Sequence, residues 1–206
     1  MKPVKTRILN TALHLFNEYG SDAISIRDLA EKLDMSPGNL CYHYKNTDAL
    51  IHALYFRLSD TSDARFVNHN EHSSTMQAFL ELMNDTYVLI DEYRFIFLDI
   101  VRIIRRSPEI HVHYLQLLER RKLQMRALIT QLIVDGFVNE TILQEEHTGI
   151  TDVAIILGDY WLSHAQLTGM QNNPDKIKHY LKINSTPLLP FLTPAGKEVY
   201  SAFFSA

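Results

Sequence analysis

The chain has 206 residues, 46% of them hydrophobic, and a formal net charge of −4. That is enough apolar material for a core, and too acidic a balance for a general polyanion binder, so wholesale disorder and indiscriminate nucleic-acid coating are both excluded. Cys41 is the one cysteine, which excludes an intrachain disulfide framework and a cysteine-based zinc finger and suits a reducing compartment. No run reaches the roughly 18 apolar residues a spanning helix needs, and the N-terminus leads into an amphipathic pattern rather than a signal-peptide h-region. A soluble, cytoplasmic protein with no membrane association is expected.

Apolar residues at Ile8, Leu9, Ala12, Leu13, Leu15, Phe16 and Tyr19 share one helical face, and Gly20 follows where a helix end in the left-handed region belongs. The first element is a helix of about four turns. Ser25 caps a second helix, with Asp28 three residues on as in a capping box and Ile26, Leu29, Ala30 and Leu33 inward. Asp34 and Met35 make the turn; Asp tolerates left-handed backbone where Gly is more usual. Ser36 caps a third helix, Pro37 takes its first position, and Leu40 and Tyr44 anchor it. Asn46 or Thr47 caps a fourth helix, from Asp48 to about Arg57. The polar stretch over 58–74 holds the domain boundary, giving domains at 1–57 and 58–206.

Residues 75–91 and 93–106 each carry an apolar helical face. Pro108 breaks the pattern, and a long helix runs from there to Gly136. A polar connection over 138–147 leads to a helix opening at Gly149 or Ile150 and ending near Gln171, and Pro174 starts the next. No alternating period-two segment persists. The fold class is all-α: an N-terminal three-helix helix-turn-helix domain joined to a larger helical domain.

Residues 1–57 hold seven Lys/Arg and six Asp/Glu, and the remainder 13 and 18, so any DNA contact must come from a few well-placed groups. Ser36, Pro37, Gly38 and Asn39 offer small residues, free N–H groups, a positive dipole end and an amide that pairs bidentately with adenine. Tyr42 and His43 lie about one turn on and suit phosphate oxygens, as do Lys45 and Thr47, while Arg27 suits the opposite groove edge. Taken singly, each is ordinary surface; the combination in this order points to a major-groove reader and hence to double-stranded DNA.

Residues 6–56 resemble the N-terminal domain of the TetR (tetracycline-repressor-like) transcriptional regulators. The resemblance is carried by Ile8 to Phe16, Tyr19-Gly20, Ile26 to Leu33, Met35 to Leu40, and Tyr42 to Asn46 followed by Ala49-Leu50. It implies an all-helical homodimer with a divergent C-terminal domain that binds a small effector, and it places Arg27, Pro37, Gly38, Asn39, Tyr42, His43 and Lys45 at positions that commonly meet DNA. Two positions depart from the pattern. Cys41 stands where the family usually has an aromatic, and Thr47 where it often has Lys.

The second part is rich in aromatic residues and methionine. Such a composition builds either a plain core or an apolar pocket; with the resemblance, Phe79, Met83, Tyr87, Phe97 and Trp161 are the candidate lining for a small apolar or aromatic effector. Residues 150–168 are apolar on more than one face, and Gly158, Ala165 and Gly169 allow close approach, so this helix is the first candidate for the dimer contact, with 175–192 second. No metal and no cofactor are expected. His111 and His113 diverge on a helix, His69 and His72 sit in a polar linker, Asp159 and His164 are one residue too far apart to share a face, and His14 with Glu18 is only a pair. No catalytic motif stands out. The expected function is a ligand-responsive, sequence-specific DNA-binding regulator, most simply a repressor on a pseudo-palindromic operator. The alternatives are a DNA-binding regulator without an effector, and a helical carrier or enzyme.

Overall fold

The computed structural model describes residues 3–68, 75–142 and 144–205. They form eleven α-helices and one 3-10 turn, with no strand among the described residues. His69 and His72 lie outside the described residues.

The chain divides into two compact units, residues 1–61 with 92–111, and residues 62–91 with 112–206. The first holds α1 (Pro3–Tyr19), α2 (Ile26–Lys32), α3 (Pro37–His43), most of α4 (Thr47–Asn68), α6 (Arg94–Leu98) and α7 (Ile100–Arg106). Its core takes Ile8, Leu9, Ala12, Phe16, Leu29, Ala30, Leu40, Leu50 and Leu54, all nearly inaccessible to solvent. Phe16 meets Phe95 edge-on, with ring centroids 5.2 Å apart, which sets α6 against α1. The expected single helix over 93–106 is two short ones. Asp99 leaves helical geometry between them, at φ −116° and ψ 13°.

The second unit holds most of α5 (Thr75–Glu92) and of α8 (Pro108–Val134), then α9 (Gln144–Leu167), α10 (Lys176–Ser185), the 3-10 turn over Thr186–Phe191 and α11 (Pro194–Ser205). α9 begins about a turn before the expected Gly149 or Ile150. The expected polar connection before it is partly core, because Val138 is buried and pairs with Leu192 as an isolated antiparallel bridge. Gly136, at φ 77°, ends α8 by letting Phe137 N–H reach back to the Leu132 carbonyl at 2.9 Å, as a Schellman turn requires. Pro187 and Pro190 turn the chain after α10 as a 3-10 segment rather than as further α-helix.

Met76, Phe79, Leu80, Met125, Ile129, Leu132, Val138, Leu188, Leu192 and Tyr200 make one buried cluster, so the aromatic C-terminal segment is docked through α11. A Cβ built on Gly196 of that helix would stand 2.2 Å from the Phe137 carbonyl oxygen. The obstruction is backbone and cannot swing aside. Gly196→Ala is therefore expected to lose about 1–3 kcal/mol of stability, read as a lower urea midpoint with the m-value unchanged.

Candidate nucleic-acid interface

The reader is assembled from pieces too short to stand alone. α2 and α3 have seven residues each, below the length at which an isolated helix persists, so caps and core contacts must hold them. In α2 the Ser25 hydroxyl accepts from Asp28 N–H at 3.3 Å, and Ser25 N–H donates to the Asp28 carboxylate at 2.8 Å, which closes the capping box. The Ser25 hydroxyl also donates to that carboxylate, at 2.6 Å. These bonds, the side-chain one foremost, hold Asp28 below the ordinary carboxylate range.

The turn that follows is a Schellman motif closed on an aspartate. Asp34 adopts φ 54°, its N–H reaching the Glu31 carbonyl and Met35 N–H the Ala30 carbonyl, at 3.1 and 2.9 Å. Ser36 then caps α3, accepting from Asn39 N–H at 3.2 Å, with Pro37 in the first turn. Leu40 is wholly buried and is the anchor of the helix. Tyr44 is already extended backbone at the helix end, half-buried, with the Lys5 ammonium 5.8 Å from its ring centroid. Asn46, rather than Thr47, caps α4, its side-chain oxygen accepting from Ala49 N–H at 2.9 Å.

With Leu40 inward, the other face is open. Ser36, Pro37, Gly38, Asn39, Cys41, Tyr42 and Lys45 are exposed, His43 and Thr47 are half-buried, and Arg27 is exposed on α2. Tyr42 shows 85% of its surface and lies edge-on to His43 at 5.3 Å. A large aromatic that exposed, beside an amide and a cation, gains nothing from the fold and is available to a partner.

The sequence gives no hint of the ties that brace this surface. Arg102 of α7 donates to the Ser21 hydroxyl at 2.7 Å and to the Asp99 carboxylate at 2.6 Å, and it pairs with Asp22. Arg106 reaches Asp48, at the start of α4, at 2.9 Å, and His52 reaches Glu109 at 2.9 Å. Exposed pairs contribute little singly; the half-buried Arg102, with three acceptors, fixes the α1–α2 connection. Apart from Asp99, three residues before Arg102, these partners lie 57 to 81 residues apart, so no local pattern reveals them.

In the second unit Phe79 and Met83 line a small cavity of about 20 Å³, with Met125, Ile129, Leu188 and Asn184 around them. Asn184 donates to the Tyr87 hydroxyl at 2.5 Å and to the Ala154 carbonyl at 3.1 Å. Trp161 stacks on Tyr87 with centroids 5.3 Å apart, and burial pushes the Tyr87 phenol up to about 12. Of the other expected pocket residues, Tyr87 and Trp161 are in the same unit but do not line this cavity, and Phe97 lies on α6 in the other unit. Asp159 accepts from the Tyr114 hydroxyl and His164 meets the Tyr180 hydroxyl, so these two side chains do not converge. His14 Nε2 lies 3.5 Å from the Glu18 carboxylate. Among the described residues no group of three or more His, Cys, Asp or Glu is placed to hold a metal ion, and no helix is long and apolar enough to cross a membrane.

Two measurements test this construction. Leu40→Ala is expected to lose about 2–5 kcal/mol of stability and to abolish DNA binding while far-UV helicity is largely retained. For Asp28 the folded pKa is depressed, so its contribution is present above the unfolded carboxylate value and lost as the pH falls through the lower folded one. Asp28→Asn is accordingly less stable than the parent at neutral pH, and the two chemical-denaturation curves converge in acid below the ordinary carboxylate range.

Comparison with known proteins agrees with this construction. Residues 8–54 match the model of bacterial regulatory proteins of the tetR family, and residues 57–200 match a TetR model described as bacterial transcriptional repressor. The regulator UidR of Escherichia coli K12 is 35% identical over 65 residues, 32% of this chain and 33% of that protein. The transcriptional repressor Rv1474c of Mycobacterium tuberculosis is 28% identical over 107 residues, 51% and 53% of the two chains. The chain thus spans about a third to a half of the length of these relatives. A TetR-family regulator from Marinobacter aquaeolei superposes with TM-score 0.85 at 20% identity, covering 98% of this chain and 97% of that one. For the ketosteroid regulator KstR2 of Mycobacterium tuberculosis the values are 0.67 and 15%, covering 94% and 97%. With both models matched, and the second over more than half of this chain, the chain belongs to the tetR family of bacterial regulatory proteins.

Proposed function

We propose that this chain is a repressor that binds a pseudo-palindromic operator as a homodimer and is released by a small apolar effector. The observation that carries the DNA part is the division of α3 between a fully buried Leu40 and the exposed Asn39 and Tyr42, with the exposed Lys45 just beyond its end. On this reading the Ser36–Asn39 tip enters the major groove, Asn39 reads a base edge, and Arg27, Tyr42, His43, Lys45 and Thr47 hold phosphates. Cys41 faces the same surface but is too short to add a stacking contact.

The dimer reading rests on α9. Val153, Ile156, Tyr160 and Leu167 are exposed by 38%, 58%, 47% and 87%, and their spacing puts them on one face. Ile183 of α10, which packs beside α9, is exposed too. A stripe of that kind is suited to a two-fold contact with a second copy. Ala165 is buried inside the unit and plays no part in it. Two half-sites would then lie about one helical turn, roughly 34–36 Å, apart. That the function is repression is supported by the description of the C-terminal family model and by the name of the Mycobacterium relative.

The effector reading rests on the cavity at Phe79 and Met83. Its 20 Å³ holds about one water, whereas small-molecule sites run to roughly 300–1,000 Å³. An effector must therefore enlarge it. Met83 and Met125 are the lining residues whose flexible thioether chains move at least cost, and Asn184 and Ser185 are the polar residues in an otherwise apolar wall.

The test is fluorescence anisotropy on DNA flanking the protein's own gene, across a salt series. Sequence-specific binding is expected, with Asn39→Ala losing about 1–3 kcal/mol and Lys45→Ala flattening the salt dependence. Leu167→Asp combined with Ile156→Asp is expected to give monomers in sedimentation and weak operator binding. If specific and scrambled DNA compete equally at every salt concentration, the proposal fails.

A further inference from the structure

An open depression of about 610 Å³ lies in the first unit, lined by Asn10, Leu13, His14 and Asn17 of α1, Arg57 of α4, and Glu92, Tyr93 and Arg94 where α5 gives way to α6. The volume falls within the range of small-molecule sites. Its charge is unbalanced. Arg57 is half-buried, and its guanidinium is held by neutral groups only: Nε donates to the Tyr93 hydroxyl at 2.8 Å and Nη1 to the Asn10 side-chain oxygen at 2.7 Å. The Tyr93 ring also lies 5.5 Å beneath it. Arg94 is half-buried as well, with no hydrogen-bond or ion-pair partner among the described residues.

Other arginines of this unit are treated differently. Arg102 meets two carboxylates and Arg106 one. A partly desolvated guanidinium without a counterion is costly, and here two line one depression. The frame around them is rigid: the Asn17 side chain donates to the Glu92 carbonyl at 2.7 Å and accepts from Phe95 N–H at 3.1 Å, which pins the segment carrying Arg94 to α1. Arg57 keeps three of its five N–H groups and Asn10 keeps its NH2. Glu92, which has interactions of its own, and the His14–Glu18 pair contribute the remaining charge.

We infer that this depression is a binding site for a small oxyanion, a carboxylate or phosphate group of a soluble metabolite, held between the guanidinium groups of Arg57 and Arg94. Fork-shaped donors suit such groups bidentately. Leu13, the apolar aliphatic residue of the lining, is the one place for a short apolar portion of the same molecule. The site belongs to the unit that carries the reader, joins α1 and α4 on either side of α2 and α3, and is distinct from the Phe79–Met83 cavity. It provides the regulator with a second input that needs no opening of that cavity.

The experiment titrates the full-length protein with inorganic phosphate and, separately, with succinate, at constant ionic strength set by chloride, following backbone amide resonances. Saturable shifts are expected at Asn10, Asn17, Tyr93 and Arg94, with little change near Phe79 and Met83. Arg94→Ala should weaken binding at least about tenfold with its unfolding midpoint close to the parent's, and Arg94→Lys should restore part of the affinity. Response to phosphate alone, succinate alone or both assigns the oxyanion class. Shifts that do not saturate, or that persist unchanged in Arg94→Ala, overturn the proposal, as does no response to either probe. Operator binding is measured separately and stands or falls independently.

Discussion

The structure of the reader depends on Leu40. Seven residues cannot make a lasting helix in water, yet α3 must present its tip in one orientation for base edges to be read. Burying Leu40 completely supplies the apolar term, on the order of 2 kcal/mol for such a side chain, that propensity lacks. Ser36 and Pro37 then decide where the helix begins, and Asp34 decides the angle at which the chain enters it. Each local device would be weak without the core contact, and the core contact would be unspecific without the devices.

That arrangement explains why so many exposed groups can sit on α3 without stability cost. A helix held from one side leaves the other free, and Asn39 and Tyr42 occupy that side with little work to do in the fold. Function and stability fall on opposite faces of the same two turns. The same logic recurs in α9, where Trp161, Leu162 and Ala165 are buried and the stripe from Val153 to Leu167 is exposed. One helix face completes a core, and the other is open to solvent.

The electrostatics follow a similar division. The acidic excess lies outside residues 1–57, so on the proposed reading few cations are on hand for DNA, and dipoles, amides and hydroxyls carry the contact. Arginines that brace the first unit are matched to carboxylates from distant parts of the sequence, while Arg57 and Arg94 are matched to neutral groups or to nothing. Their neighbourhood is organised by Asn17 and Tyr93, side chains that carry no charge and attract no notice in a sequence.

Everything governed by neighbours a few residues apart was legible in the sequence. The capping box at Ser25 and Asp28, the left-handed Asp34, the Ser36–Pro37 start and the inward Leu40 are local chemistry, and the tetR-family reader follows from them. The all-helical class was legible too, because periodicity is also local. What only the tertiary structure decided involves partners far apart in the chain. Arg102 joins Ser21 and Asp22, about 80 residues before it, and Val138 leaves its expected polar loop to pair with Leu192. The candidate pocket residues show the same limit. Phe79, Met83, Tyr87 and Trp161 share one unit and Phe97 does not, because composition reveals that side chains are apolar but only packing reveals which of them meet.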